Sequence, residues 1–298
     1  MDLLQLQYFL LLASQQHVTK TAAMLNISQP SLSATIKKLE TELGVPLFIR
    51  KGRNIELSPY GEAYKQYVEE AFLALDNGKA TIEKLRGTNT HKLSLGILSP
   101  YVWEDFFQEF HALYPETKLN RYSIEGSHYA DDLIAGKIDF YLGGINHIDS
   151  LDAARLQYTT LYEDEMVLLL PAQHPMAKET SIDLRQCKNE RFINQEAGTN
   201  LQQFVSSLFE KAGFAPNVIM ICDYTLRDRM VAEGHGISIT TRLAAQKSEV
   251  QGLAYVPISN PAEKRKLGLV WRKNRLFSQS MQNFYDTARR FYDGIYGE

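Results

Sequence analysis

Between residues 18 and 57 the apolar positions first keep helical spacing and then switch to the spacing of short strands. Thr19 precedes the run Thr21–Leu25 and is expected to cap a first short helix, its hydroxyl accepting from an unpaired amide. Asn26–Ile27 breaks that helix. Ser28 offers a second cap, and Pro30 falls in the next first turn, where a missing N–H costs nothing. Leu32, Ile36, Leu39 and Leu43 recur at i, i+4, i+7 and i+11 and make one apolar stripe, with Gly44 as a left-handed stop. After Pro46, Leu47–Ile49 and Ile55–Leu57 read as two short strands around a basic turn that contains Arg50, Lys51 and Arg53.

Upstream, Leu6, Phe9, Leu10 and Ala13 at helical spacing predict a first helix packed under this pair. Downstream, Ser58 and Pro59 start another helix. Along it Tyr64, Val68, Ala71, Leu75, Gly78, Ile82 and Leu85 alternate steps of four and three, a coiled-coil seam, before a polar linker at 86–90. From Lys92 onward short β runs alternate with amphipathic helices. Strands are expected at Leu93–Leu98, Leu119–Ile124 and Ile138–Leu142, followed by separate β segments at Leu156–Leu161 and Met166–Leu170. Trp103, Phe106, Phe107, Phe110 and Leu113 line one helix face, and a second helix spans Tyr129–Ala135.

A second unit then repeats the logic: Phe192–Asn194, helix Leu201–Ala212, strand Val218–Cys222, helix Leu226–Glu233 and strand Ile237–Thr240. Strands Leu253–Pro257 and Lys266–Trp271 and a last helix, Ser278–Tyr292, complete the chain. Alternation of this sort builds a largely parallel sheet covered by helices, and two such units joined by crossing strands leave a cleft where strand ends meet.

Composition adds a compartment and a charge distribution. With 298 residues, 44% hydrophobic and 22% charged, the chain is an ordinary soluble protein of two or three domains. Its net charge of −3 says nothing for nucleic acid. Residues 20–58, however, hold six basic groups against three acidic, so positive charge gathers at the helix pair. No secretory or membrane segment is evident, and a cytoplasmic location is expected. Cys187 and Cys222 lack any metal-type spacing and read as two reduced thiols.

The stripe-free face of the helix from Ser28 to Leu43 carries Pro30, Ser33, Ala34, Lys37, Lys38 and Thr41, with Gln29 at its tip. Short side chains can approach base edges in a DNA major groove while lysines reach phosphates. In the second half, Ser99, Ser127, Thr199 and Thr225 each stand at a turn from strand to helix, where free amides favour an anion. Tyr101 and His128 neighbour those turns, and Gln195 follows a strand end. Nucleophile elbow, P-loop, dinucleotide fingerprint and paired-histidine metal motifs are all missing from the sequence, so neither enzyme chemistry nor a cofactor or metal is expected.

The stretch through Phe9, Ala22, Ala23, Leu25, Ile27–Ser33, Ile36, Leu39, Glu40, Leu43, Gly44, Leu47, Phe48 and Arg50 resembles the winged helix-turn-helix of LysR-type transcriptional regulators. Many members carry a basic residue where this chain has Ala34. The second half resembles the family's effector domain, of periplasmic-binding-protein fold, with residues 136–143 (GKIDFYLG) and 234–240 (GHGISIT) as landmarks.

The resemblance implies a winged helix-turn-helix domain at 1–58, a dimerisation helix at 59–87 and an α/β effector domain of two subdomains at 88–298. It implies DNA contact by Thr19, Gln29, Pro30, Ser31, Ser33, Lys37, Arg50 and Arg53. A carboxylate-bearing small molecule would meet Ser99, Tyr101, Ser127, His128, Gln195, Thr199 and Thr225. The partners implied are promoter DNA, that effector, and further copies of the chain in a homodimer or homotetramer. A solute-binding protein without a DNA role is the competing reading.

Overall fold

The computed structural model describes all residues except 52–53, 87–91, 99, 125–128, 147, 149–153, 196–199 and 297–298; for 54, 100, 101, 200, 295 and 296 it describes the backbone alone. The chain separates into two compact units, one built on Met1–Thr88 with Asp131–Lys137 and Asn274–Ser278, the other on the remainder.

In the first unit, helices α1 (Leu3–Gln15), α2 (Val18–Met24) and α3 (Gln29–Leu43) precede a hairpin of β1 (Phe48–Lys51) and β2 (Asn54–Leu57) and the long α4 (Pro59–Arg86). The local signals act largely as their chemistry requires. Ser28 Oγ accepts from the Ser31 amide at 3.3 Å, Pro30 lies in the first turn of α3, and Gly44 closes it at φ +74°. Leu32 and Leu39 are fully buried with Phe9 and Ala22, so the stripe is the core of this unit. Ser58 is buried; its hydroxyl donates to Pro46 O at 2.6 Å and accepts from the Gly61 amide at 3.0 Å, tying the hairpin to the start of α4.

Thr19 is not the cap of α2. The helix begins at Val18, and His17 caps it by accepting the Lys20 amide on Nδ1 at 3.3 Å. Gln16, left-handed at φ 49°, has already ended α1, so the next helix is capped two residues earlier than a cap at Thr19 would place it. The seam of α4 also divides. Tyr64 and Val68 pack into the core of the first unit, whereas Leu75, Ile82 and Leu85 are exposed on this single chain.

The second unit contains β3 (Lys92–Ile97), α5 (Glu104–Leu113), β4 (Lys118–Ser123), β5 (Phe140–Gly144), β6 (Leu156–Pro171), β7 (Ile182–Asp183) and β8 (Arg191–Asn194). It continues with α6 (Asn200–Ala212), β9 (Asn217–Ile221), α7 (Tyr224–Ala232), β10 (Ser238–Thr241), α8 (Arg242–Gln246), β11 (Leu253–Asn260), β12 (Lys264–Arg272) and α9 (Gln279–Tyr296).

The main sheet runs β4-β3-β5-β12-β6-β11-β7, with β10 also on β6. It is mixed rather than largely parallel: β3 pairs in parallel with β4 and β5, but β6 is antiparallel to β10, β11 and β12. The two β segments expected at 156–161 and 166–170 are one strand of 16 residues. Its polar middle, Tyr162–Glu165, continues the ladder against Lys264–Leu267 instead of forming a turn. One subdomain packs Phe106, Phe110, Phe140 and Phe284 together, and Trp103 Nε1 donates to Leu98 O at 3.0 Å. Leu113, expected on the buried face of α5, is instead 49% exposed, because the helix face turns past the core at its last residue. The other subdomain buries Leu168, Leu170, Phe192, Leu208 and Cys187.

Candidate functional site

On α3, Gln29, Pro30, Ser31, Ser33, Lys37 and Lys38 are all exposed, opposite the buried stripe. Thr19 Oγ1 donates to Gln29 Oε1 at 3.3 Å, so the misplaced cap belongs to the polar surface at the tip of α3. Glu40 turns its carboxylate inward, where Oε1 accepts the Leu47 and Phe48 amides at 2.8 and 3.2 Å and fixes the start of the hairpin. On β1, Lys51 pairs with Glu56 across the ladder at 2.8 Å, while Arg50 is exposed and makes no ion pair among the described residues. Arg53 lies outside the described residues. The unit thus presents short polar groups on one helix and exposed cations beside them, which suits phosphate contact with base-edge reading.

In the second unit the chemistry gathers where β6 and β12 cross. Asp164 and Arg265 are direct cross-strand partners, and both are buried. Directly opposed residues of an antiparallel pair share a face, so carboxylate and guanidinium meet on one side of the sheet. Burial raises the Asp164 pKa; the neighbouring Thr241 and Tyr162 hydroxyls, the Leu243 amide and Arg265 pull it back. Thr241 and Arg265 line a narrow cavity with Leu98, Val102, Trp103, Gly143, Leu201, Ala244 and Leu267. Its volume of about 10 Å³ has room for roughly one water. Neither Asp164, Thr241 nor Arg265 was expected from sequence: they come from three strands far apart along the chain, with no local spacing to announce them.

The expected effector residues fare unevenly. Ser99, Ser127, His128 and Thr199 lie outside the described residues, as does the Tyr101 side chain, though the Tyr101 backbone forms part of a 3₁₀ turn at Pro100–Trp103. Gln195 is half-buried at the end of β8 and is not among the residues that line the crossing cavity. Thr225 is exposed in the first turn of α7, and the cap there is Asp223, whose Oδ1 accepts the Thr225 and Leu226 amides at 2.8 and 3.0 Å. A resident carboxylate therefore occupies the amides that Thr225 was expected to share with an anion. Thr225 lines a separate cavity with Arg227.

The thiols are free and buried. Burial, with Glu190 and Asp183 nearby, pushes Cys187 up to about 12, and Cys222 is raised for the same main reason. Such thiols hold little thiolate at neutral pH and are inert nucleophiles.

Comparison with known proteins agrees with both halves of this picture. Residues 3–62 match the bacterial regulatory helix-turn-helix family of lysR type, and residues 86–293 match the LysR substrate binding domain. The HTH-type transcriptional regulator YybE of Bacillus subtilis is 33% identical over 285 residues, covering 94% of this chain and 95% of that protein. The transcriptional dual regulator GltC of the same organism is 27% identical over 306 residues, covering 99% of each. Among solved structures, a full-length OxyR variant from Pseudomonas aeruginosa shares the fold with a TM-score of 0.69 at 24% identity, over 97% of this chain and 95% of that one. Full-length BenM does so with a TM-score of 0.61 at 24% identity, over 99% and 98%. The helix-turn-helix match leaves the solute-binding reading without an account of the first unit. Matched in both halves and aligned with a 33% identical relative along nearly its whole length, the chain belongs to the family of LysR-type transcriptional regulators, DNA-binding proteins with a C-terminal substrate-binding domain.

Proposed function

We propose that this regulator senses a small carboxylate-bearing metabolite in the cavity at the β6–β12 crossing, and that α3 and the β1–β2 wing read a promoter for it in the cytoplasm. The observation that carries the effector class is Arg265, a guanidinium buried in the wall of that cavity opposite Asp164. Charge-assisted hydrogen bonds from such a group to a carboxylate are worth roughly 1.5–3 kcal/mol each. Leu98 and Leu201 also line the cavity, and they stand beside the turns that carry Ser99 and Thr199 in the sequence. Those turns, with Ser127, are assigned here to the effector. A tight cavity requires its subdomains to part before a metabolite enters, and that parting is the signal.

Functional boundaries are placed at 58 and 87, giving DNA-binding, dimerisation and effector domains. The exposed Leu75, Ile82 and Leu85 lie at intervals of seven and three on α4, the spacing of a seam that a second copy covers. Two such dimers make the tetramer. Native mass spectrometry of chain purified without denaturant tests the effector class: the wild type should carry an organic acid that Arg265→Gln and Ser99→Ala lose. Retention of the same acid by both variants would sink the assignment.

A further inference from the structure

The second subdomain also buries a guanidinium that its own fold leaves half used. Arg227, on α7, is only 1% exposed. Its Nε donates to Asp228 Oδ1 at 2.8 Å and its Nη2 is ion-paired with the same oxygen at 2.7 Å, and Asp228 Oδ2 accepts from Ser248 Oγ at 2.6 Å. Nη1 finds no hydrogen-bond partner among the described residues. Buried donors of a charged group are ordinarily all satisfied, because leaving one dry forfeits its hydration. A purely structural arginine, present only to neutralise Asp228, accounts for one edge of the guanidinium and leaves the other edge unexplained.

That unexplained edge belongs to a residue in the wall of a cavity of about 610 Å³, the size of a metabolite site. Arg229 and Thr225, both exposed, line the same cavity, as does Lys247, which reaches Asp105 at 2.7 Å. Its acidic groups are Asp228, already committed to Arg227 and Ser248, and the exposed Glu249. Lys247 is neutralised by Asp105, so the positive groups left to the cavity are Arg227 and the exposed Arg229, set against Asp228 and Glu249. Only Ala244 is common to this cavity and the one at the strand crossing, so the two have largely different walls.

We propose that the α7–α8 cavity is a second ligand site, which takes the carboxylate or phosphate group of a small molecule. Arg227 Nη1 donates to that oxyanion from the buried side, and Arg229 and Thr225 hold it from the rim. The fork of a guanidinium suits a planar or tetrahedral oxyanion better than a point cation would.

Calorimetric titration of the full-length protein with inorganic phosphate, and separately with succinate, tests the site, with ionic strength held constant by chloride. At least one probe should bind saturably, one per chain. The double variant Arg227→Met, Asp228→Leu removes the buried pair together, so no lone charge is left inside. It should weaken that binding about tenfold or more, and a melting curve checks that it is folded. Should it melt early, the exposed changes Arg229→Ala and Thr225→Val keep the test decisive, with about fivefold weaker binding expected from each. Absence of saturable binding by both probes overturns the proposal. So does binding untouched by the Arg227, Arg229 and Thr225 changes, or binding lost instead in Arg50→Ala, which would place the anion on the DNA-reading face.

Discussion

On α3, Lys37 and Lys38 stand in solvent and form no ion pair among the described residues, whereas Asp164 and Arg265 face each other across β6 and β12 at 3% and 4% exposure. The exposed lysines keep their hydration and remain free to displace counterions from a polyanion, so they act through a salt-dependent field. Desolvation of the buried pair is offset only while every partner stays in place, so it acts through shape and exact company. One region is built for a ligand that is everywhere alike along its backbone. On the function proposed above, the other serves a ligand that must be told from its analogues.

The largest effect should come from breaking the buried side of this comparison. Asp164→Leu removes the buried carboxylate that faces Arg265 and should cost about 3–5 kcal/mol in urea unfolding of the second unit, whereas Lys37→Ala should stay within about 0.5 kcal/mol. Similar costs for both would erase the distinction. Next comes Leu75→Asp, which puts a charge where a second copy would bury it. Sedimentation should show the dimer lost, with the circular dichroism and melting of the sensor unit unchanged, because Leu75 is 44% exposed in the single chain.

A smaller, sharper test concerns the wing. Arg50→Ala should weaken binding to all DNA sequences alike and reduce the slope of log affinity against log salt by about 0.9, the value of one phosphate contact. Ser33→Ala should instead change preference among operators and leave that slope alone. An unchanged slope in Arg50→Ala would remove the wing from the phosphate backbone.

The smallest effect is a pH dependence. Burial raises the Asp164 pKa, so the folded state holds its proton more tightly than the unfolded state does. Stability should therefore fall as pH rises from the unfolded carboxylate value, about 3.9, through the raised folded one. Asp164→Asn should flatten that part of the stability curve, and a variant curve parallel to that of the wild type would show that another group carries it.

The helix pair of the first unit was legible because its determinants are neighbours in the chain. Ser28, Pro30 and Gly44 act within one turn of where they stand, and the stripe from Leu32 to Leu43 is a single helix. His17 escaped because an imidazole nitrogen serves as the acceptor where the sequence offered a threonine. The continuity of β6 escaped because Tyr162–Glu165 interrupts its apolar run, and only the partner strand 100 residues later shows that these positions are paired. Asp164, Thr241 and Arg265 lie on three different strands and have no spacing to read. Arg227 and Asp228 are adjacent, but a charged pair on a helix reads as solvated surface until its burial is seen.

The antiparallel pairing of β6 with β12 also sets an order of events during synthesis. Helices α1 to α3, the hairpin and the start of α4 enclose their core within the first 72 residues, so this unit can close as soon as that length has left the ribosome. The sheet of the second unit lacks β12 until residue 272 is made, and the aromatic core around Phe106 lacks Phe284 for longer still. At the usual 5–20 residues per second, more than 200 further residues take roughly ten to forty seconds. Each new molecule spends that interval with the core of its helix-turn-helix enclosed and the sheet of its second unit unfinished.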